Sequence, residues 1–190
     1  MKRRIWSAIA CGALMLACGL AYAAPAPLTL FGIPLKGATR AHLREALKSH
    51  GMIAKREDDS YWVDLYDPSS VLDGASEFQV GYVAATHVFA DCKYTFQGSM
   101  DTQLVGKVIA LVQSKYGPPS TRTGDINLGE VTATWNFPSS MSITVRRGWP
   151  DTTTYLYYID AAEDRVMQTE VDAEKRRQLQ QKARAQNQAY

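Results

Sequence analysis

From Glu130 to Asp160 the sequence runs EVTATWNF, PSS, MSITVRR and, after a short interruption, TTTYLYYID. Val131, Ala133, Trp135 and Phe137 share one face of the first segment, and Met141, Ile143 and Val145 share one face of the second. Period-two alternation sets one side of a strand on a core and the other in solvent. The last segment is apolar on both faces, which predicts a more central strand. Ahead of these strands stands the clearest helix, SMDTQLVGKVIALVQSKYGPP. Ser99 or Asp101 can cap it, and Leu104, Val105, Val108, Leu111 and Val112 form its apolar stripe. Gly117-Pro118-Pro119 ends it, because proline cannot continue the hydrogen-bond ladder.

The first half reads in the same order. A short apolar strand is expected over residues 28–33, after a Pro/Ala stretch. Thr39 can cap RAHLREALKSHG, in which Leu43, Ala46 and Leu47 recur at helical spacing and Gly51 sits at the C-terminal cap. MIAKREDDSYWVDLY reads as a hairpin turning at Glu57-Asp58-Asp59-Ser60. EFQVGYV and HVFADCKYTF form a second hairpin about Ala84-Ala85-Thr86, with Phe78, Val80 and Tyr82 on one face. Helices come too seldom for a wound parallel sheet. The expected class is α+β: an antiparallel β-sheet with two amphipathic helices on one face, plus a charged C-terminal helix. A strand–helix–strands unit occurs twice, although the two copies share little residue by residue.

Three segments divide the chain. Residues 1–23 carry Lys2, Arg3 and Arg4, an uncharged apolar run and the small-x-small site Ala21-Tyr22-Ala23, the pattern of a cleaved secretory signal peptide. The apolar run is short for a spanning helix, which takes about 20 residues. A competing reading is a lipoprotein anchored at Cys18, whose preceding Met15 and Leu16 fit that signal poorly. Residues 24–160 form one α+β domain. Residues 161–190 lack Gly and Pro and predict a charged, partly solvated helix whose Val166, Met167, Val171 and Leu179 are too sparse for a core face. On that reading, removing the chain beyond about Thr169 hardly changes stability. The compact α+β outline, the helix closing in KYGPP and the export signal together resemble, in architecture, small bacterial envelope proteins of the BamE-like kind. No residue role is carried over from them.

The chain holds 21 Lys/Arg against 19 Asp/Glu. Three of those bases lie in the signal segment, so the remainder holds 18 against 19, a net of −1, and offers no electrostatic case for nucleic acid. Cys92 falls on the strand face of Val88, Ala90, Tyr94 and Phe96, with Phe89 an apolar exception on the other face. A reactive thiol needs exposure and a positive neighbour, and Lys93 points away, so Cys92 reads as a core residue. His42, His50 and His87 lack metal-ligand spacing and read as surface histidines. Glu57, Asp58, Asp59, Asp64, Asp67 and Asp73 match no calcium loop and read as a turn plus a solvated strand face. GxSxG, SxxK, P-loop and GxGxxG patterns do not occur. RRGWPD offers the one candidate binding surface, Arg146, Arg147 and Trp149, since Arg and Trp are favoured in binding hot spots.

The expected function is non-catalytic binding of a macromolecular partner in the bacterial cell envelope, by a periplasmic or secreted protein without cofactor. The alternatives are a periplasmic small-molecule or metal-ion binder and a hydrolase with a noncanonical site.

Overall fold

A computed structural model describes residues 27–98 and 100–187. The signal segment with its cleavage site, Cys18, and Ser99 as a helix cap lie outside these residues. The chain enters through a tight hairpin, β1 (Thr29–Leu30) and β2 (Ile33–Pro34). The single strand expected over 28–33 is divided because Phe31 and Gly32 take positive φ, 49° and 79°, and reverse the chain. There follow α1 (Arg40–Ser49), β3 (Ile53–Arg56), β4 (Val63–Asp67), β5 (Ala75–Tyr82) and β6 (Phe89–Phe96). The second half repeats that order with α2 (Leu104–Tyr116), β7 (Thr121–Asp125), β8 (Leu128–Asn136), β9 (Met141–Arg147) and β10 (Thr154–Asp160), and α3 (Ala161–Asn187) ends it.

The long strands make one eight-stranded sheet, antiparallel throughout, in the order β3-β4-β5-β6-β10-β9-β8-β7. Each half is a helix followed by a four-stranded meander, and the last strands of the two meanders pair at the centre, Cys92 opposite Tyr158. β10 is therefore a central strand, as its two-faced apolar sequence implies.

α1 and α2 lie on the same face. Leu43 and Leu47 of α1 join Val105, Val108, Ile109 and Val112 of α2 in one core with Phe78, Val80, Ile143 and Leu156 of the sheet. Each such side chain contributes about 1.5–3 kcal/mol over its exposed state, so packing rather than propensity holds the helices. Thr39 caps α1 as expected, accepting from the His42 amide. The stripe of α2 differs in one member: Ile109 is buried and Leu111 is 47% exposed. Val105, Val108, Ile109 and Val112 stand at i, i+3, i+4 and i+7, so Leu111 falls on the flank.

Cys92 is buried on this core face. The neighbouring parity is altered by a bulge, where β5–β6 pairing shifts between Gly81↔Asp91 and Tyr82↔Phe89. The bulge turns Phe89 into the main core and sends Ala90 to the opposite face, against Val83 and Met167. Ala90 therefore does not share the face of Cys92, contrary to simple alternation.

α3 crosses that opposite face. The buried Asp160 starts it, accepting from the Ala162 amide at 3.2 Å and from Lys36 Nζ at 2.7 Å. Met167 is buried against the sheet, with Val171 and Trp62 packed around it. Gly81 permits this approach: a Cβ there would stand 3.0 Å from the Met167 sulfur and 2.1 Å from Asp91 Oδ1. Glu170 accepts from Trp62 Nε1 at 3.0 Å and from the Ala84 and Ala85 amides at 2.7 and 3.2 Å. The helix is thus docked as far as Val171, whereas residues 176–187 are exposed throughout. The sparse apolar residues understated this docking, because a carboxylate makes much of it.

Candidate functional site

Between β5 and β8 the face opposite α1 and α2 carries side chains in ordered rows. One row runs Thr132, Arg146, Tyr155 and Thr95; the next runs Thr134, Thr144, Tyr157, Lys93 and Gln79. A third, Ser142, Ile159, Asp91 and Gly81, is the one beside Met167 of α3. In the first two rows Arg146 is exposed, Thr95 is buried, and Thr132, Thr134, Thr144, Tyr155, Tyr157, Lys93 and Gln79 are half-buried. The Tyr155 and Tyr157 rings are 6.0 Å apart, and Lys93 Nζ stands 5.6 Å from the Tyr155 ring centre. Burial, then the neighbouring Tyr155, pushes the Tyr157 hydroxyl above its ordinary pKa, so it remains a neutral donor. Arg146 is half exposed, with only a 3.5 Å approach to the exposed Glu130.

Asp91 stands where the open rows meet α3, in a crevice shared with Gln79, Lys93, Tyr157 and Gln168. Burial and the charge of Asp164 push its carboxyl up to about 6, against the opposing influence of Lys93 and the Gly81 amide. The sequence reading missed it, since one Asp between Ala90 and Cys92 carries no pattern of its own.

The proposed trio does not come together. Arg146 lies on the open face beside Tyr155. Trp149 is 51% exposed in the β9–β10 loop, after which the peptide to Pro150 is cis. Arg147 is no part of a surface: it is fully buried on the core side. Its guanidinium donates to Thr102 O and Ile126 O at 2.7 Å, to Gly129 O at 2.7 and 3.1 Å, and to Asp125 O at 3.1 Å. Five donors in a fixed fork suit a corner lined with carbonyls. The signal was present in the sequence, because Arg147 continues the inward parity of Met141, Ile143 and Val145.

The acidic run also differs from expectation. Asp64 is fully buried rather than solvated. Arg40 reaches its two oxygens at 2.6 and 3.2 Å, and Arg44 reaches them at 2.8 and 2.9 Å. Burial pulls the Asp64 carboxyl up, but the hydrogen bonds and charges of Arg44 and Arg40 outweigh it and hold the pKa below the usual carboxylate range. Arg40 also donates to Tyr61 O at 2.9 Å and Asp58 O at 2.8 Å and lies 4.9 Å from the Tyr82 ring centre. These groups close a structural corner between α1 and the β3–β4 loop.

Burial pushes the Cys92 thiol well above its ordinary pKa, which leaves it protonated and a poor nucleophile. His42, His50 and His87 are exposed. Among the described residues no group of three or more His, Cys, Asp or Glu is placed to hold a metal ion, and no helix is long and apolar enough to cross a membrane.

No family model and no curated protein matches the chain. Among solved structures, the crystal structure of a DUF4309 family protein (YjgB) from Bacillus subtilis is similar to it, with a TM-score of 0.39 and 14% sequence identity, covering 67% of this chain and 82% of that chain.

Proposed function

We propose that the protein is exported and acts without catalysis, by binding another protein of the cell envelope through the open face of its sheet. One observation carries the reading. Tyr155, Tyr157, Lys93 and Arg146 stand together on central strands, in the two rows beside the one that Met167 of α3 covers. Tyrosine buries a large area for little loss of rotamer freedom, and tyrosine and arginine recur at the centres of protein interfaces. The strands beneath them are fixed by the core on the other side, so the face is preorganised and binding orders few new groups. The N-terminal pattern of basic, apolar and small-x-small segments supports export.

The test is site-specific photo-crosslinking in cells. A photoreactive phenylalanine at Tyr157 should yield a discrete adduct that Arg146→Glu weakens. The same group at Leu128, exposed at the start of β8, serves as control and should yield none. Equal adducts from both positions, or none from Tyr157, would remove the proposal. Intact mass of the exported form should begin at Ala24, and a lipidated Cys18 would overturn the cleavage assignment.

A further inference from the structure

On the helix side of the sheet, the space between the two halves is incompletely filled. A cavity of about 490 Å³ lies between α2, the β1–β2 hairpin and the loop joining β4 to β5. Its floor includes Tyr94 of β6 and Tyr158 of β10, diagonal neighbours across the central strand pair. Phe31 and Leu72 contribute apolar wall, and Leu111 lines it from the exposed flank of α2.

Tyr94 and Tyr158 are 3% and 8% exposed. Neither hydroxyl reaches a protein hydrogen-bond partner among the described residues, and burial holds both pKa values above the ordinary one. Buried phenols ordinarily find a partner. Elsewhere in the core Trp135 Nε1 donates to Gly117 O at 2.8 Å and the Tyr66 hydroxyl donates to Glu57 at 2.9 Å, whereas the Tyr82 hydroxyl and Thr154 Oγ1 are enclosed without a partner. Unlike the Tyr82 hydroxyl, those of Tyr94 and Tyr158 are not fully enclosed, and both side chains line a largely apolar cavity in which an acceptor that the chain itself does not supply can meet them. The volume falls within the roughly 300–1,000 Å³ of small-molecule sites.

We infer that this cavity is a binding site for a small neutral molecule with an apolar body and one oxygen, which accepts from the Tyr94 or Tyr158 hydroxyl. The inner end of the ligand is uncharged, because the one charged lining residue, Lys115, is exposed and an ion at the floor would lose its hydration without a counter-charge. The site is separate from the open sheet face, since the two lie on opposite sides of the sheet.

Isothermal titration of the purified protein with 4-butylphenol and with butylbenzene tests the assignment. The pair differs by one hydroxyl. The phenol should bind about tenfold more tightly, the worth of one good neutral hydrogen bond. Tyr94→Phe together with Tyr158→Phe should bring the two affinities within about twofold. Leu111→Trp, a substitution at an exposed position that leaves folding intact, should weaken both ligands by narrowing the mouth. Circular dichroism and the Tm of each variant establish that the fold is retained. Equal affinity of the two ligands for the unaltered protein would overturn the proposal. Absence of binding, or binding that none of the variants changes, would do so as well.

Discussion

Both halves of the sheet bury an arginine at the same corner, between the start of the helix and the loop of the first hairpin, but they supply it from different places. In the first half Arg40 belongs to α1 itself, and it meets Asp64, Asp58 O and Tyr61 O. In the second half Arg147 comes from the far end of β9 and meets only carbonyls, those of Thr102, Asp125, Ile126 and Gly129. What the two corners share is a need for several donors in a rigid fork, because a helix start and a short hairpin leave carbonyls turned inward. Which strand or helix delivers the fork is free to differ. This is why the halves agree in topology while their sequences agree so little residue by residue. The corners also differ in charge: the first is an ion cluster with a titratable member, and the second is a lone cation dispersed over backbone dipoles.

The largest expected effect follows from that difference. Lysine keeps the charge of arginine but not the fork. Arg40→Lys retains the attraction to Asp64 and should lower stability by about 2 kcal/mol. Arg147→Lys leaves several carbonyls unsatisfied with no counter-charge in reach, and should lower it by about 4 kcal/mol or more. Urea unfolding of the two variants measures both. Equal losses would show that the corners are energetically alike and would break the comparison.

Asp64→Asn tests the first corner from its acid side. It leaves Arg40 and Arg44 only the exposed Asp59 as a charge partner, at 3.5 and 2.9 Å, and should cost about 3 kcal/mol. The pH dependence carries the same information. The folded Asp64 pKa lies below its unfolded value, so its contribution is complete above about pH 4 and is lost as pH falls through the folded pKa. The second corner holds no acid on its arginine. Hydrogen exchange at pH 3 should therefore open the amides of α1 and residues 57–64 before those of residues 125–129. The reverse order would mean that Asp64 is not what holds the first corner.

Asp91 has the opposite sign. Its folded pKa, about 6, is above its unfolded value, so the folded state holds the proton more tightly between about pH 4 and 6. Stability falls as pH rises through that window and stays reduced above it. Asp91→Asn should remove this fall and leave the protein about 1–3 kcal/mol more stable than the unaltered chain at pH 7. Thermal unfolding at pH 4.5 and pH 7.5 decides it. A variant less stable at both values would show that the carboxylate is needed where it stands.

The parts of this fold legible in the sequence are those governed by parity and by helix stops. Val131, Ala133 and Trp135, Met141, Ile143 and Val145, and the Thr39 cap all stand where alternation and capping rules put them. The parts that were not legible are places where a polar residue faces inward because a distant partner satisfies it. Asp64 looks like one more surface acid until Arg40 and Arg44 arrive from α1. Arg147 looks like a loop residue beside Gly148 and Trp149 until the β7–β8 turn folds over it. The bulge at Phe89 and Ala90 was hidden for a different reason, since one inserted residue changes parity without changing composition. Of the candidate surface, Arg146 alone reaches the open face, and its companions there, Tyr155, Tyr157 and Lys93, come from strands that only the sheet order brings together.

The smallest effect concerns α3, which rests on the first half more than on the second. Its docked portion presents Met167, Glu170 and Val171 to Trp62, Val83, Ala84 and Ala90, all from β4, β5, β6 or their loops. Ending the chain after Lys175 removes, among the described residues, only exposed ones and should change stability by less than about 0.5 kcal/mol, the scale of surface positions. Ending it after Thr169 also removes Glu170, which accepts three hydrogen bonds as a carboxylate, and should cost about 1.5–3 kcal/mol. Glu170→Gln in the full chain keeps the size but not the charge, and should lie between these two. Hydrogen exchange should then show the loss confined to residues 62 and 82–90, with β7 to β9 unchanged. A uniform loss across the sheet would mean that the halves unfold as one unit. Equal stability of the two truncated chains would mean that the Glu170 clamp contributes nothing, and that Met167 alone seats the helix.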